Sequence, residues 1–132
     1  MPEGPLVAIV DDDKSIRNAT ENLLKSAGFS TATFESAESF LGSASRTSAS
    51  CVVADMRMRG MTGVKLYQEL VASGHAIPTV IITAHPEELT QARAREAGIT
   101  CWLIKPFAPD ELLECVHEAL AKSQTRRAIP KS

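Results

Sequence analysis

Cys51-Val52-Val53-Ala54-Asp55 sets four apolar residues against a single carboxylate. A short run of this kind reads as a buried parallel strand, which puts Asp55 at the strand's carboxyl end, where sites form in open α/β sheets. Three further runs end in the same manner. Leu6-Val7-Ala8-Ile9-Val10 leads into Asp11-Asp12-Asp13, Thr79-Val80-Ile81-Ile82 into Thr83, and Trp102-Leu103-Ile104 into Lys105-Pro106. Acids, a hydroxyl and an amine are therefore carried toward one edge of one sheet. Carboxylates so close repel one another, and the cluster makes chemical sense with a cation in it.

Between the strands lie helical patterns, the alternation expected of a parallel sheet covered on both faces. Ile16, Ala19, Leu23, Leu24 and Ala27 recur at helical spacing, with Gly28 as the stop. Residues 29–34 give a short second strand. Ser36 caps a helix that buries Ala37, Phe40, Leu41 and Ala44, and residues 43–50 read as a Ser/Thr-rich loop. A third helix buries Val64, Tyr67, Leu70 and Val71. A fourth, over 87–97, has only Leu89 and alanines to offer and should pack least firmly. The fifth starts at Pro109, with Leu112, Leu113, Val116, Ala119 and Leu120 inward.

With 132 residues, 44% of them hydrophobic, the chain is expected to bury one core as a single domain over 5–122, followed by a flexible tail over 123–132. A net charge of −2 gives no reason to expect direct nucleic-acid binding or a membrane partner, and the basic tail reads as a solvated terminus. Cys51, Cys101 and Cys115 are odd in number and lack CxxC spacing, which speaks against a disulfide framework or a zinc knuckle and fits a reducing cytoplasm. No apolar stretch approaches the roughly 18 residues of a membrane span, and no signal-peptide core follows Met1.

The donor set suits a hard cation such as Mg²⁺, and a carboxylate beside it is a nucleophile toward an activated phosphoryl group. The segments Ile9-Val10-Asp11-Asp12-Asp13, Asp55 to Gly63, Ile82-Thr83-Ala84 and Lys105-Pro106-Phe107 resemble, in order and interval, the four signatures of the response-regulator receiver domain of bacterial two-component signalling. The resemblance runs from about Leu6 to Lys122. It implies a doubly wound, flavodoxin-like (CheY-like) sheet of five parallel strands in the order 2-1-3-4-5 with five helices. By position it implies Asp55 as phospho-acceptor, and Asp11, Asp12, Asp55 and the Arg57 carbonyl as Mg²⁺ ligands. Thr83, with small Ala84 beside it, would bind the phosphoryl group. Lys105 would be the ion-pair partner, with a cis peptide before Pro106, and Trp102 the switch aromatic. Asp13 falls beyond the acidic pair and reads as a helix cap or a solvated residue. Arg59 departs from the pattern, standing where family members commonly have proline, so a more mobile loop is expected there.

The function implied is a phosphorylation switch rather than an enzyme. Asp55 takes a phosphoryl group from a sensor histidine kinase or phosphotransfer protein, and the face built by the fourth helix, fifth strand and fifth helix repacks for a partner, including a second copy of the chain. Self-phosphorylation from small donors and slow self-dephosphorylation are expected with it. An aspartyl-phosphate phosphatase would carry a second Asp two residues past the nucleophile, where this chain has Arg57. The alternative reading is a receiver module excised from a transcription regulator with a helix-turn-helix domain.

Overall fold

Five strands form in the computed structural model, which describes residues 5–85 and 99–128: β1 Leu6–Val10, β2 Ser30–Phe34, β3 Cys51–Asp55, β4 Thr79–Thr83 and β5 Cys101–Ile104. All pair in parallel, in the order β2-β1-β3-β4-β5. Among the described residues the helices are α1 Lys14–Ser26, α2 Ala37–Leu41, α3 Ser45–Ser48, α4 Gly63–Ala72 and α5 Pro109–Ala128. The helix expected over 87–97 lies outside the described residues.

Successive residues of a strand point to opposite faces, so the uninterrupted apolar runs are two-sided. Ala8, Val10, Val52, Ala54 and Ile81 pack with Phe40 of α2 and with Leu66 and Leu70 of α4. Val7, Ile9, Val53, Val80, Ile82 and Leu103 pack with Leu24 of α1 and with Leu112 and Val116 of α5. Gly28 ends α1 as expected, at φ +98°, where a side chain would be strained.

Several elements differ from the sequence reading. Helix α2 is capped by Ser36, whose Oγ accepts from the Ser39 N–H at 3.0 Å, but it stops at Leu41 and leaves Ala44 outside. The expected loop after it winds one turn, α3, with the Ser43 and Thr47 hydroxyls donating to carbonyls three residues back, at 2.7 and 3.0 Å. In α4 the inward stripe is Val64, Leu66 and Leu70, while Tyr67 is only partly buried and Val71 is 46% exposed. Helix α5 continues to Ala128, into the segment read as tail.

The cysteine reading needs correction. Cys101 and Cys115 form a disulfide, with Cα atoms 5.7 Å apart. Spacing along the chain could not show this, because the pair is made by α5 packing back across β5. Cysteine usage accordingly gives no ground for a reducing compartment. Among the described residues no helix is long and apolar enough to cross a membrane.

Gly63 begins α4 against the end of β3. A Cβ there would stand 2.7 Å from the Asp55 carbonyl oxygen and 2.9 Å from Ile81 Cδ1. Backbone on one side and packed core on the other leave little room to yield. Gly63→Ala is expected to cost about 1–3 kcal/mol by overpacking, read as a lower denaturation midpoint; an unchanged midpoint would show that the helix start shifts freely.

Candidate functional site

Strand register brings the ends of the sheet level: Val10 pairs with Ala54, Asp55 with Ile82, and Thr83 with Ile104. Asp11 and Lys105 follow directly on β1 and β5. The four positions thus share one edge, where the order reverses between β1 and β3. Asp55 Oδ1 lies 3.0 Å from Lys105 Nζ, with the two side chains 12% and 28% exposed. The ammonium stands off the hydrogen-bonding direction, so Oδ1 is a buried oxygen with no hydrogen-bond donor among the described residues.

The three consecutive aspartates play three different parts. Asp11 is buried, and its Oδ1 accepts from the Asp13 N–H at 2.9 Å. Burial, the largest influence, pushes the Asp11 carboxyl above its usual range; the Asp13 N–H and Lys105 pull it down, while the Asp55 and Asp12 charges push it up further. Asp12 turns toward the loop after β3, where its Oδ2 accepts from the Arg59 backbone N–H at 3.0 Å, with Arg59 Nε 3.9 Å away. Asp13 caps α1, its Oδ1 accepting from the Ile16 N–H at 3.1 Å.

Thr83 is buried, and its hydroxyl accepts from the His85 N–H at 3.0 Å. A cleft of about 180 Å³ opens between Asp55, Arg57, Thr83, Ala84, His85 and Lys105. The Lys105 N–H donates to the Thr83 carbonyl at 2.8 Å, and the Lys105–Pro106 peptide is cis. Trp102 is partly buried against the core that holds Ile81. The structure therefore gathers Asp55, Arg57, Thr83, Ala84 and Lys105 around one cleft, with Asp11 beside them and Asp12 directed to Arg59.

Sequence reasoning missed what Arg59 does. A proline in its place has no N–H to give; the arginine supplies one to Asp12, and Met56 and Met58 on the same loop are buried. The loop has anchors where greater mobility is expected from the lost proline. Arg17, whose Nη1 donates to the Asp11 carbonyl at 2.8 Å, is a further support that no motif marked.

Among the described residues no three acidic, His or Cys side chains close into a cage. Mg²⁺ does not require one, since one or two carboxylates, a carbonyl, waters and a phosphoryl oxygen suffice. A buried Asp55 oxygen that is ion-paired with Lys105 but takes no hydrogen bond among the described residues, beside an Asp11 carboxyl pushed up partly by its neighbours' negative charge, fits a divalent cation.

The sequence profile of the response regulator receiver domain matches residues 7–117. The chain belongs to this family. In two-component systems such receivers take part in phosphorylation-dependent signalling, and the curated relatives of this one are longer proteins that include transcriptional regulators. The chain is 33% identical over 122 residues to the C4-dicarboxylate transport transcriptional regulatory protein DctD of Rhizobium meliloti, covering 92% of this chain and 26% of that one. It is 32% identical over 118 residues to the transcriptional regulatory protein FixJ of Bradyrhizobium diazoefficiens, covering 89% and 58%. Among solved structures, response regulator StyR superposes with a TM-score of 0.86 at 42% identity, over 94% of this receiver and 63% of that chain. The receiver spans about a quarter to just over half the length of such curated relatives.

Proposed function

We propose that this receiver domain, over about 5–122, is a phosphorylation switch with Asp55 as the acceptor. An Asp55 carboxylate oxygen attacks phosphorus, the bond from phosphorus to the imidazole nitrogen of a kinase or phosphotransfer histidine breaks, and the imidazole leaves. The observation that carries this is the buried Asp55 Oδ1, 3.0 Å from Lys105 and without a hydrogen bond among the described residues, on a cleft that Thr83 also lines. Lys105 opposes the phosphoryl charge, and Thr83 gives its hydroxyl to a phosphoryl oxygen. Asp11, Asp12, Asp55 and the Arg57 carbonyl would hold Mg²⁺. Bound there, the cation neutralises charge on the transferring group.

Lys105 and Thr83 are already joined through their backbones, so drawing both inward carries the end of β5 along with β4 and repacks the face that includes β5 and α5. That face then binds a partner, a second phosphorylated copy among the candidates, in the cytoplasm. The short coverage of the curated relatives favours a second arrangement, in which the chain is the receiver part of a DNA-binding transcription regulator; the downstream reading frame of the gene distinguishes the two.

Incubation with acetyl phosphate and Mg²⁺ is expected to add one phosphoryl mass, and chelation of the metal to stop it; no gain in mass would overturn the reading. Asp12→Ala is expected to weaken Mg²⁺ binding, followed by equilibrium dialysis, well beyond Asp13→Ala, which should instead cost about 1 kcal/mol of stability as a lost helix cap. Equal effects on binding would move the acidic pair by one residue.

Trp102 is the chain's one tryptophan. As β5 moves, its partly buried indole is expected to withdraw from water. Beryllofluoride with Mg²⁺, which mimics the acyl phosphate, should then shift its emission to the blue and reduce iodide quenching. Emission that stays put while labelling proceeds would remove Trp102 from the switch.

A further inference from the structure

The cysteine pair lies outside the chemistry of Asp55. Cys101 opens β5, the edge strand, and is partly exposed; Cys115 is buried on the sheet-facing side of α5. Their Cα separation of 5.7 Å falls where a disulfide closes without moving backbone. Between the two run Trp102, Lys105, Pro106 and Phe107, so the bond closes a loop around the one cation paired with Asp55 among the described residues. The Glu118 carboxylate stands 3.9 Å from the Cys101 sulfur. Cys51 plays no part: it is fully buried in β3, and burial pushes its thiol up to about 12.

We infer that Cys101 and Cys115 form a reversible redox site whose oxidation ties β5 to α5 and so opposes the response of that face to phosphorylation. The oxidant class is a small-molecule disulfide such as oxidised glutathione. The Cys101 thiolate attacks one of its sulfurs and expels one glutathione thiolate, which takes up the proton. Cys115 then attacks the mixed disulfide and expels the second. Two protein thiols and one glutathione disulfide become one protein disulfide and two glutathione thiols, so atoms and electrons balance. Partial exposure of Cys101 at the sheet edge gives the reagent access, and the buried Cys115 is placed to resolve the intermediate.

The proposed switch needs β5, which leads directly into Lys105, to shift relative to its surroundings. A bond between its first residue and the second turn of the helix that follows fixes strand and helix as one unit. The coupling half of the inference therefore rests on the proposed function, whereas the redox half stands on the pair alone.

Both halves are tested on the whole chain in glutathione redox buffers. Alkylation followed by intact mass gives the fraction of the pair oxidised, and beryllofluoride with Mg²⁺ is titrated against the oxidised and reduced forms. The expected result is reversible oxidation confined to Cys101 and Cys115, with beryllofluoride binding about fivefold or more weaker to the disulfide form. By reciprocity, beryllofluoride should shift the redox midpoint toward the dithiol by the same factor. Cys101→Ser should remove the redox dependence and leave beryllofluoride binding at the level of the reduced parent. Cys115→Ser should do the same and serves as the second variant. A pair that never oxidises, or only irreversibly, overturns the redox site; equal beryllofluoride affinity in both forms overturns the coupling. Failure of either form to bind beryllofluoride or take acetyl phosphate would instead overturn the Asp55 reading and the coupling with it, while the mass data still decide the redox site.

Discussion

Asp55→Asn is expected to take up no phosphoryl group under conditions in which the parent gains one phosphoryl mass. The substitution keeps size and shape while replacing a carboxylate, which is both nucleophile and metal ligand, by an amide that is poor at each. Loss of labelling must be separated from loss of fold, and the structure says how. Asp55 contributes one of the charges that push the Asp11 carboxyl up, so neutralising it relieves repulsion at the sheet edge. Against this, Lys105 loses its carboxylate partner, but it is 28% exposed and regains water. The variant's melting temperature should therefore stay close to the parent's or rise. Labelling that persists in a folded Asn variant would move the acceptor elsewhere on the edge, with Asp11 and Asp12 the residues to examine next.

The fold was legible because each strand is both apolar and short, and because a chemically distinct residue ends it. Parallel pairing alone brings Asp11, Asp55, Thr83 and Lys105 level, so the positions that matter follow from four strand ends and the order of strands. What could not be read depends on contacts between residues far apart in sequence. Asp12 and Asp13 are adjacent and identical in chemistry, yet one accepts from a loop 47 residues away and the other caps its own helix. The inward stripe of α4 is set where Gly63 presses on the end of β3, a contact the apolar pattern of that helix does not carry. The disulfide is the clearest case. Its partners are separated by 14 residues in a strand and a helix, and only the packing of α5 across β5 brings them together.

Lys105→Ala is expected to separate phosphoryl uptake from its consequences. The ammonium has two duties: it faces the Asp55 carboxylate at 3.0 Å, and its charge lowers an Asp11 carboxyl that burial pushes up. Truncation leaves two acids close together without their cation, which should destabilise the protein by about 1–2 kcal/mol, less than the loss from a fully dry pair because the lysine is partly solvated. Lys105→Met keeps most of the stem's packing without the charge, so a similar loss in both variants assigns the effect to charge. Mg²⁺ replaces part of that charge when bound, and labelling by acetyl phosphate should persist at a reduced rate. The blue shift of Trp102 emission on adding beryllofluoride should not. With no ammonium just past β5 to be drawn toward the phosphoryl group, nothing charged ties the strand that carries Trp102 to Asp55. A variant that labels and still shows the parent's full optical response would mean that Thr83 alone moves β5, through its carbonyl's hydrogen bond to residue 105, which the substitution leaves in place.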